Sequence, residues 1–171
     1  MLQPEPELDG VKIYKTVPYP LAGYDTYIVP PVSVYLNEEG RKRGISDEDL
    51  RDLAKKFRDS VVEKLGNRYQ VGNNPGPRVA ILRLAITDAD PNVPLLNIHP
   101  GSLIAGAGLG GASMEADLID SVSGRRVAAL MASSKGKAYN YGAGLSKWGH
   151  TEEVLNDWAA LLAERIEKSH G

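Results

Sequence analysis

Two segments have apolar residues at the spacing of an amphipathic helix. In the first, these residues are Leu50, Leu53, Phe57, Val61 and Leu65. Ser46 and Asp49 resemble a capping box, and Gly66 lies where a left-handed C-terminal cap is expected. In the second segment Thr151 is the expected N-cap. Its apolar positions are Val154, Leu155, Trp158, Leu161, Leu162 and Ile166.

Other segments have the composition or the alternation of β-strands. Residues 24–36 are rich in Tyr, Ile and Val, but Pro30 and Pro31 cannot donate ladder hydrogen bonds. We therefore predict an edge or broken strand there. A short strand is predicted over 69–71 and a longer one over 78–87. The longer strand has one apolar face, made of Ala80, Leu82, Leu84 and Ile86.

Residues 112–122 alternate as expected for a strand with one solvated face. The apolar positions are Met114, Ala116 and Leu118, and the opposite face carries Glu115 and Asp117. The Ser123-Gly124 pair predicts a turn into a second strand over 126–132. These two strands are predicted to form a β-hairpin.

The order of these elements predicts the fold class. Two helices are too few to cover both faces of a parallel sheet. We therefore predict an α+β fold, with a mostly antiparallel sheet and two amphipathic helices packed on one face. Residues 1–23, rich in Pro and Gly, are predicted to be an extended arm with little regular structure, and residues 24–171 a single domain. Residues 88–111 and 133–149 are predicted to be loops.

Composition narrows the classes of function. The 171 residues are 42% hydrophobic and 25% charged, which is typical of a folded globular protein. The formal net charge is −2 and the basic residues are dispersed, so nucleic acid is not an expected partner. The absence of cysteine excludes a disulfide, a thiolate metal site and a cysteine nucleophile.

The N-terminal sequence and the hydropathy give no sign of membrane insertion. No run approaches the roughly 20 apolar residues of a membrane-spanning helix. The first ten residues lack the basic start and the apolar run of a signal peptide.

A glycine-rich segment matches a dinucleotide-binding pattern in spacing only. Gly106, Gly108 and Gly111 fit GxGxxG, but that motif requires a following helix, and the next residues alternate as a strand. We predict no cofactor. The small residues instead suit close contact with a partner, or with a second copy of the chain through residues 102–113.

A second glycine-containing segment, residues 135–149, contains aromatic residues in a predicted loop. Tyr139, Tyr141 and Trp148 suit a recognition surface, although closing the edge of the core is the commoner role of such aromatics. Together with the three glycines they form the predicted partner surface.

Carboxylates and histidines have no spacing specific to a catalytic or metal site. The candidates are Asp88, Asp90, Asp117, Asp120 and His99. Turn formation explains the first two, and Asp120 near the hairpin turn is a candidate turn acceptor. No HExxH or GxSxG motif is present. We predict no catalytic and no metal-binding residue.

Three motifs in combination resemble a known bacterial lipoprotein family, domain of unknown function thirty-three thirteen. They are Pro75-Gly76-Pro77, the strand ending in Ala85-Ile86-Thr87-Asp88, and GGASMEADLIDS over residues 110–121. Further matching segments are Val29-Pro30-Pro31-Val32, Val34-Tyr35, Ser46 through Leu65, Tyr69-Gln70-Val71 and Trp158-Ala159. The match covers most of the chain after the arm.

The resemblance implies a domain on the periplasmic side of the envelope, anchored at the outer membrane through a lipidated N-terminal cysteine that this chain lacks. It supplies no catalytic residue. The leading hypothesis is a non-enzymatic module that binds a protein, peptidoglycan or another envelope component. The alternatives are a hydrolase of an envelope polymer that uses Asp88, Asp90, His99 or Asp120, and a structural homo-oligomer.

Overall fold

The computed structural model describes residues 2–4, 11–16, 21–35, 46–89, 111–133 and 149–170. For residues 2–4, 11–16, 88–89, 111–113, 133 and 149–154 it describes the backbone alone. The described strands are β1 (Leu2–Pro4), β2 (Val11–Thr16), β3 (Thr26–Ile28), β4 (Ser33–Tyr35), β5 (Gln70–Val71), β6 (Val79–Ala89), β7 (Gly111–Asp120) and β8 (Arg126–Ser133). The helices are α1 (Asp47–Gly66), α2 (Gly149–Lys168) and a short 3-10 helix at Leu21–Gly23.

These strands form one mixed sheet in the order β1-β2-β8-β7-β6-β3-β5. From β1 to β6 each pair is antiparallel, whereas β3 runs parallel to both β6 and β5. β4 also runs parallel to β6. It pairs with residues 85–87 of β6, whereas β3 pairs with residues 79–81 of the same strand. The α+β prediction is confirmed, but the prediction of a mostly antiparallel sheet is wrong. The reason is that α1 is a crossover helix between β4 and β6, which therefore run in the same direction.

The N-terminal arm contains two strands of this sheet. β2 pairs with β8 from Val11 opposite Ala132 to Lys15 opposite Ala128, and β1 pairs with β2. The prediction of little regular structure over residues 1–23 is therefore wrong. The partner strand lies more than a hundred residues away, so local composition could not reveal the pairing.

The strand predicted over residues 24–36 is broken, as expected. β3 and β4 flank Val29-Pro30-Pro31-Val32, and the carbonyl O of Val29 accepts a hydrogen bond from Arg58 Nε of α1 at 2.7 Å. The helix thus satisfies a backbone group next to the prolines, which cannot donate to a ladder. β3 is not an edge strand, because it lies between β6 and β5.

Both amphipathic helices are present, with different ends from those predicted. The N-cap of α1 is confirmed, since Ser46 Oγ accepts a hydrogen bond from Asp49 N at 3.1 Å. Gly66 is not a left-handed cap, because the helix continues through it to a right-handed C-cap at Asn67. α2 begins at Gly149, two residues before Thr151, so the predicted N-cap lies inside the helix.

One hydrophobic cluster unites both helices with one face of the sheet. The predicted face of β6 is confirmed, since its four residues are all buried, and Met114, Ala116 and Leu118 of β7 join them. Phe57 of α1 and Trp158 of α2 meet edge to face, with ring centroids 6.2 Å apart. Neither described helix is long and apolar enough to cross a membrane.

Candidate functional site

An apolar cavity of about 160 Å³ lies between the last turns of α2 and the sheet. Its wall is formed by Leu82, Ala116, Leu118, Leu130, Leu162 and Ile166, and Leu21 and Ala128 also border it. These residues come from β6, β7, β8, α2 and the short 3-10 helix. The cavity therefore depends on the tertiary structure, because no single segment of the sequence contains it.

Small side chains on the sheet leave this space open. Ala116 and Ala128 are diagonal neighbours in the β7–β8 ladder, since Ala116 lies opposite Leu130 and Ala128 lies opposite Leu118. An alanine projects one methyl group toward the helix where a leucine would project a branched chain. Ala116 is buried and Ala128 half-buried, so the second of these forms part of the rim.

Two cationic residues of α2, Arg165 and Lys168, border the same cavity. Lys168 Nζ contacts Glu164 Oε1 at 2.5 Å, and Arg68 pairs with Glu167. Both acidic residues of this turn are thus engaged. In contrast, the Nε of Arg165 is buried and has no hydrogen-bond partner among the described residues.

The last turn of α2 is tied to the segment that precedes β3. His170 Nδ1 lies 2.7 Å from the carbonyl O of Ile166, and its Nε2 lies 2.7 Å from the carbonyl O of Tyr24. These contacts hold the cavity residue Ile166 close to the segment that contains Leu21.

Asp120 is a turn acceptor, as the sequence predicted. Its Oδ1 accepts hydrogen bonds from Val122 N at 3.2 Å and from the backbone N and Oγ of Ser123, both at 2.7 Å. Its Oδ2 accepts from the Tyr24 hydroxyl at 2.9 Å. The Ser123 backbone N–H, then its hydroxyl, and then Tyr24 lower the pKa of Asp120. A carboxylate held in this way stabilises the hairpin turn.

The prediction that Glu115 faces solvent is wrong. Only 8% of the residue is exposed, and its Oε1 has no hydrogen-bond partner within the described part of the chain. Burial raises the pKa of Glu115 to about 7, the charge of Asp117 adds to this, and Arg126 opposes it. Asp117 is also mostly buried, but it pairs with Arg126 Nη2 at 3.0 Å.

A signal for this second buried face exists in the neighbouring strands. Glu115 lies between Ala85 of β6 and Met131 of β8 in the register, and both of these are buried. The sequences of β6 and β8 are nearly continuous apolar runs, which is typical of strands covered on both faces. The alternation within β7 alone pointed to a solvated face instead.

Most residues of the predicted partner surface lie outside the described residues. This holds for Gly106, Gly108, Tyr139, Tyr141 and Trp148, and also for residues 102–110 of the predicted oligomer contact. Gly111 is described and begins β7, opposite Ala89 of β6, so a strand follows the last glycine of the GxGxxG pattern. These predictions remain predictions.

Of the four residues of the hydrolase hypothesis, the structure describes the side chain of Asp120 alone. Asp90 and His99 lie outside the described residues, and Asp88 is described by its backbone alone. Asp120 is fully engaged in its turn. The described part of the chain contains no group of three or more His, Asp or Glu residues that could hold a metal ion.

Comparisons with known proteins identify a family. The family model described as "Protein of unknown function (DUF3313)" matches residues 1–162, which confirms the resemblance found in the motifs. No curated protein is significantly similar to the chain.

Two similar solved structures are PelC dodecamers from Paraburkholderia phytofirmans, in space groups C2 and P6. The first, a single-residue variant, is 14% identical with a TM-score of 0.41, and the second is 15% identical with a TM-score of 0.44. Each alignment covers 94% of this chain and 96% of the other.

Proposed function

We propose, from the premise that the chain belongs to the DUF3313 family, that it is a non-enzymatic binding module of the bacterial envelope. The module works on the periplasmic side, held at the outer membrane by a lipid in its native form. Its cavity takes an apolar group of an envelope component. The resemblance to a lipoprotein family supports the location, and the cavity supports the binding.

The single observation that carries the binding proposal is an apolar space bordered by buried leucines and alanines. Its volume is close to the roughly 150 Å³ of an engineered protein cavity that stays dry and binds benzene. The apolar side chains around this half-open space face water on its open side. An apolar group that enters removes their surface from water, so binding is favourable without any charge.

The experiment uses the uncharged, benzene-sized probe fluorobenzene, whose fluorine NMR signal shifts and broadens when it enters an apolar site. We expect saturable binding to the wild-type protein. Ala128→Leu places a larger side chain in the cavity and should weaken binding of the probe by about tenfold, equivalent to about 1.4 kcal/mol. The matched control is Ala163→Leu, because Ala163 is also half-buried but does not border the cavity.

Circular dichroism must show that both variants remain folded. The proposal is contradicted if the wild-type protein gives no saturable signal, or if Ala128→Leu binds the probe as tightly as Ala163→Leu does.

A further inference from the structure

The border of the cavity carries an unmet hydrogen-bond donor. Arg165 is half-buried, and its Nε is buried without a partner among the described residues. A buried donor that loses water and gains no acceptor is unfavourable, and more so when the group is charged. Because the Nε has almost no accessible surface, an occupant with an acceptor removes this penalty only when the Arg165 side chain turns toward the cavity that it borders.

The residues beside Arg165 favour a negatively charged acceptor. Glu164 is engaged by Lys168, and Glu167 is engaged by Arg68. No described acidic side chain forms an ion pair with Arg165, although Lys168, and less strongly Arg165, lower the pKa of the neighbouring Glu164. Lys168 also borders the cavity, but its charge is paired with Glu164, so Arg165 carries the unpaired positive charge among the residues that line it. A guanidinium suits carboxylate and phosphate oxygens especially well, because its N–H groups match their geometry.

The size of the cavity sets the apolar part of the occupant. A space of about 160 Å³ accepts an apolar group about as large as benzene, which has six carbon atoms. A chain of six to eight carbons would fill it with the head group still at Arg165. The walls provide no other described charged side chain besides Arg165 and Lys168.

We infer that the cavity binds an anionic amphiphile, with a short aliphatic chain against Leu82, Leu130 and Leu162 and a carboxylate or phosphate head at Arg165. This inference rests on the proposed function, because it names the class of ligand for the same cavity. The carboxylate of a fatty acid and the phosphate of a lipid head group share this chemistry.

The test measures displacement of the same neutral probe by four compounds with one chain length: octanoate, octyl phosphate, octan-1-ol and octyltrimethylammonium. On the wild-type protein we expect at least one anion to bind about tenfold more tightly than the alcohol, as charge-assisted hydrogen bonds allow. The ammonium compound should bind more weakly than the alcohol. The stronger of the two anions identifies the head group.

Variants locate the head group. Arg165→Met keeps an unbranched side chain but removes the guanidinium, and it should abolish the advantage of the anions over octan-1-ol. Arg165→Lys, which keeps the charge without Nε, should retain part of that advantage. The matched control is Arg51→Met, since Arg51 is an exposed arginine of α1 outside the cavity, and it should retain all of it.

The outcomes separate this inference from the proposed function. If octan-1-ol and both anions bind the wild-type protein equally, the anionic ligand is excluded while the binding cavity stands. If the advantage of the anions persists in Arg165→Met, the head group does not bind at Arg165, and the inference is wrong. If neither the probe nor any of the four compounds binds, the proposed function itself fails.

Discussion

The two faces of β7 carry different kinds of side chain, apolar on one and acidic on the other. One face presents Met114, Ala116 and Leu118 to the helices, and all three are buried apolar residues. The other face presents Glu115 and Asp117, also withdrawn from water but between the apolar strands β6 and β8. The first face needs only packing, whereas the second must also accommodate charge.

The second face handles its two carboxylates in different ways. Asp117 forms an ion pair with Arg126 Nη2, at 3.0 Å. Glu115 has no such partner within the described residues, and burial raises its pKa to about 7. A buried carboxyl without a partner tends to take up a proton, because protonation avoids the cost of the charge. Pairing, more than burial alone, thus separates the two residues.

The largest expected effect tests whether both faces are equally packed. Met114 and Met131 lie on opposite faces of the sheet, and each is at least 98% buried. We expect Met114→Ala and Met131→Ala each to lower the free energy of unfolding by about 2–5 kcal/mol. Urea denaturation measures both. A loss below about 1 kcal/mol for Met131→Ala alone would mean that the second face is loosely covered.

The next effect is the pH dependence that Glu115 adds. Its pKa rises from 4.5 to about 7 on folding, so the folded state binds the proton more tightly. Its contribution to stability is complete below pH 4.5 and is lost as the pH rises through about 7. We expect Glu115→Gln to remove a decline of roughly 1–3 kcal/mol and to be more stable than the wild type at pH 8.

Unfolding by urea at several pH values between 4 and 8 measures this decline. The matched control is Glu63→Gln, because Glu63 is exposed on α1. An unchanged pH profile in Glu115→Gln would show that Glu115 does not gain a proton on folding.

A smaller effect is expected from the ion pair on the same face. Asp117→Asn should lower the free energy of unfolding by about 1–3 kcal/mol, because a mostly buried Arg126 loses a charged acceptor. Asp25→Asn is the matched control, since the pair of Asp25 with Arg78 is exposed. Thermal denaturation compares the two. An equal change in both midpoints would argue against the importance of burial.

The smallest effect concerns a polar atom on the apolar side of the sheet. Tyr27 is fully buried, and its hydroxyl has no hydrogen-bond partner among the described residues. We expect Tyr27→Phe to change the free energy of unfolding by less than about 1 kcal/mol, or to increase it. Tyr24→Phe should lower it by about 1 kcal/mol, because the Tyr24 hydroxyl donates to Asp120. The reverse order in urea denaturation would contradict this account.

The elements that depend on local pattern could be predicted from the sequence. The apolar spacing of α1 and its Ser46 cap are confirmed, and so is the hairpin, with Gly124 in the left-handed conformation at its turn. The role of Asp120 in that turn was also predictable, since the turn groups that donate to it, on Val122 and Ser123, lie within three residues along the chain. Short-range hydrogen bonds and helical periodicity leave a trace in the local sequence.

The direction of the strands was harder to predict, although part of the signal was present. A strand, a helix and a further strand in succession favour parallel pairing, which is what β4, α1 and β6 form. The addition of β1 and β2 beside β8 had no local signal. Strand pairing depends on partners far away in the chain, so composition alone cannot specify it.

The sequence by itself determined the α+β class, the main helix, the hairpin and the family to which the chain belongs. Only the tertiary structure decided that Glu115 is buried and that a cavity opens beside Arg165. Periodicity records which residues share a face of their own element. Burial and cavities depend on what packs against that face, and here the packing residues come from elements as distant as Leu21 and Ile166.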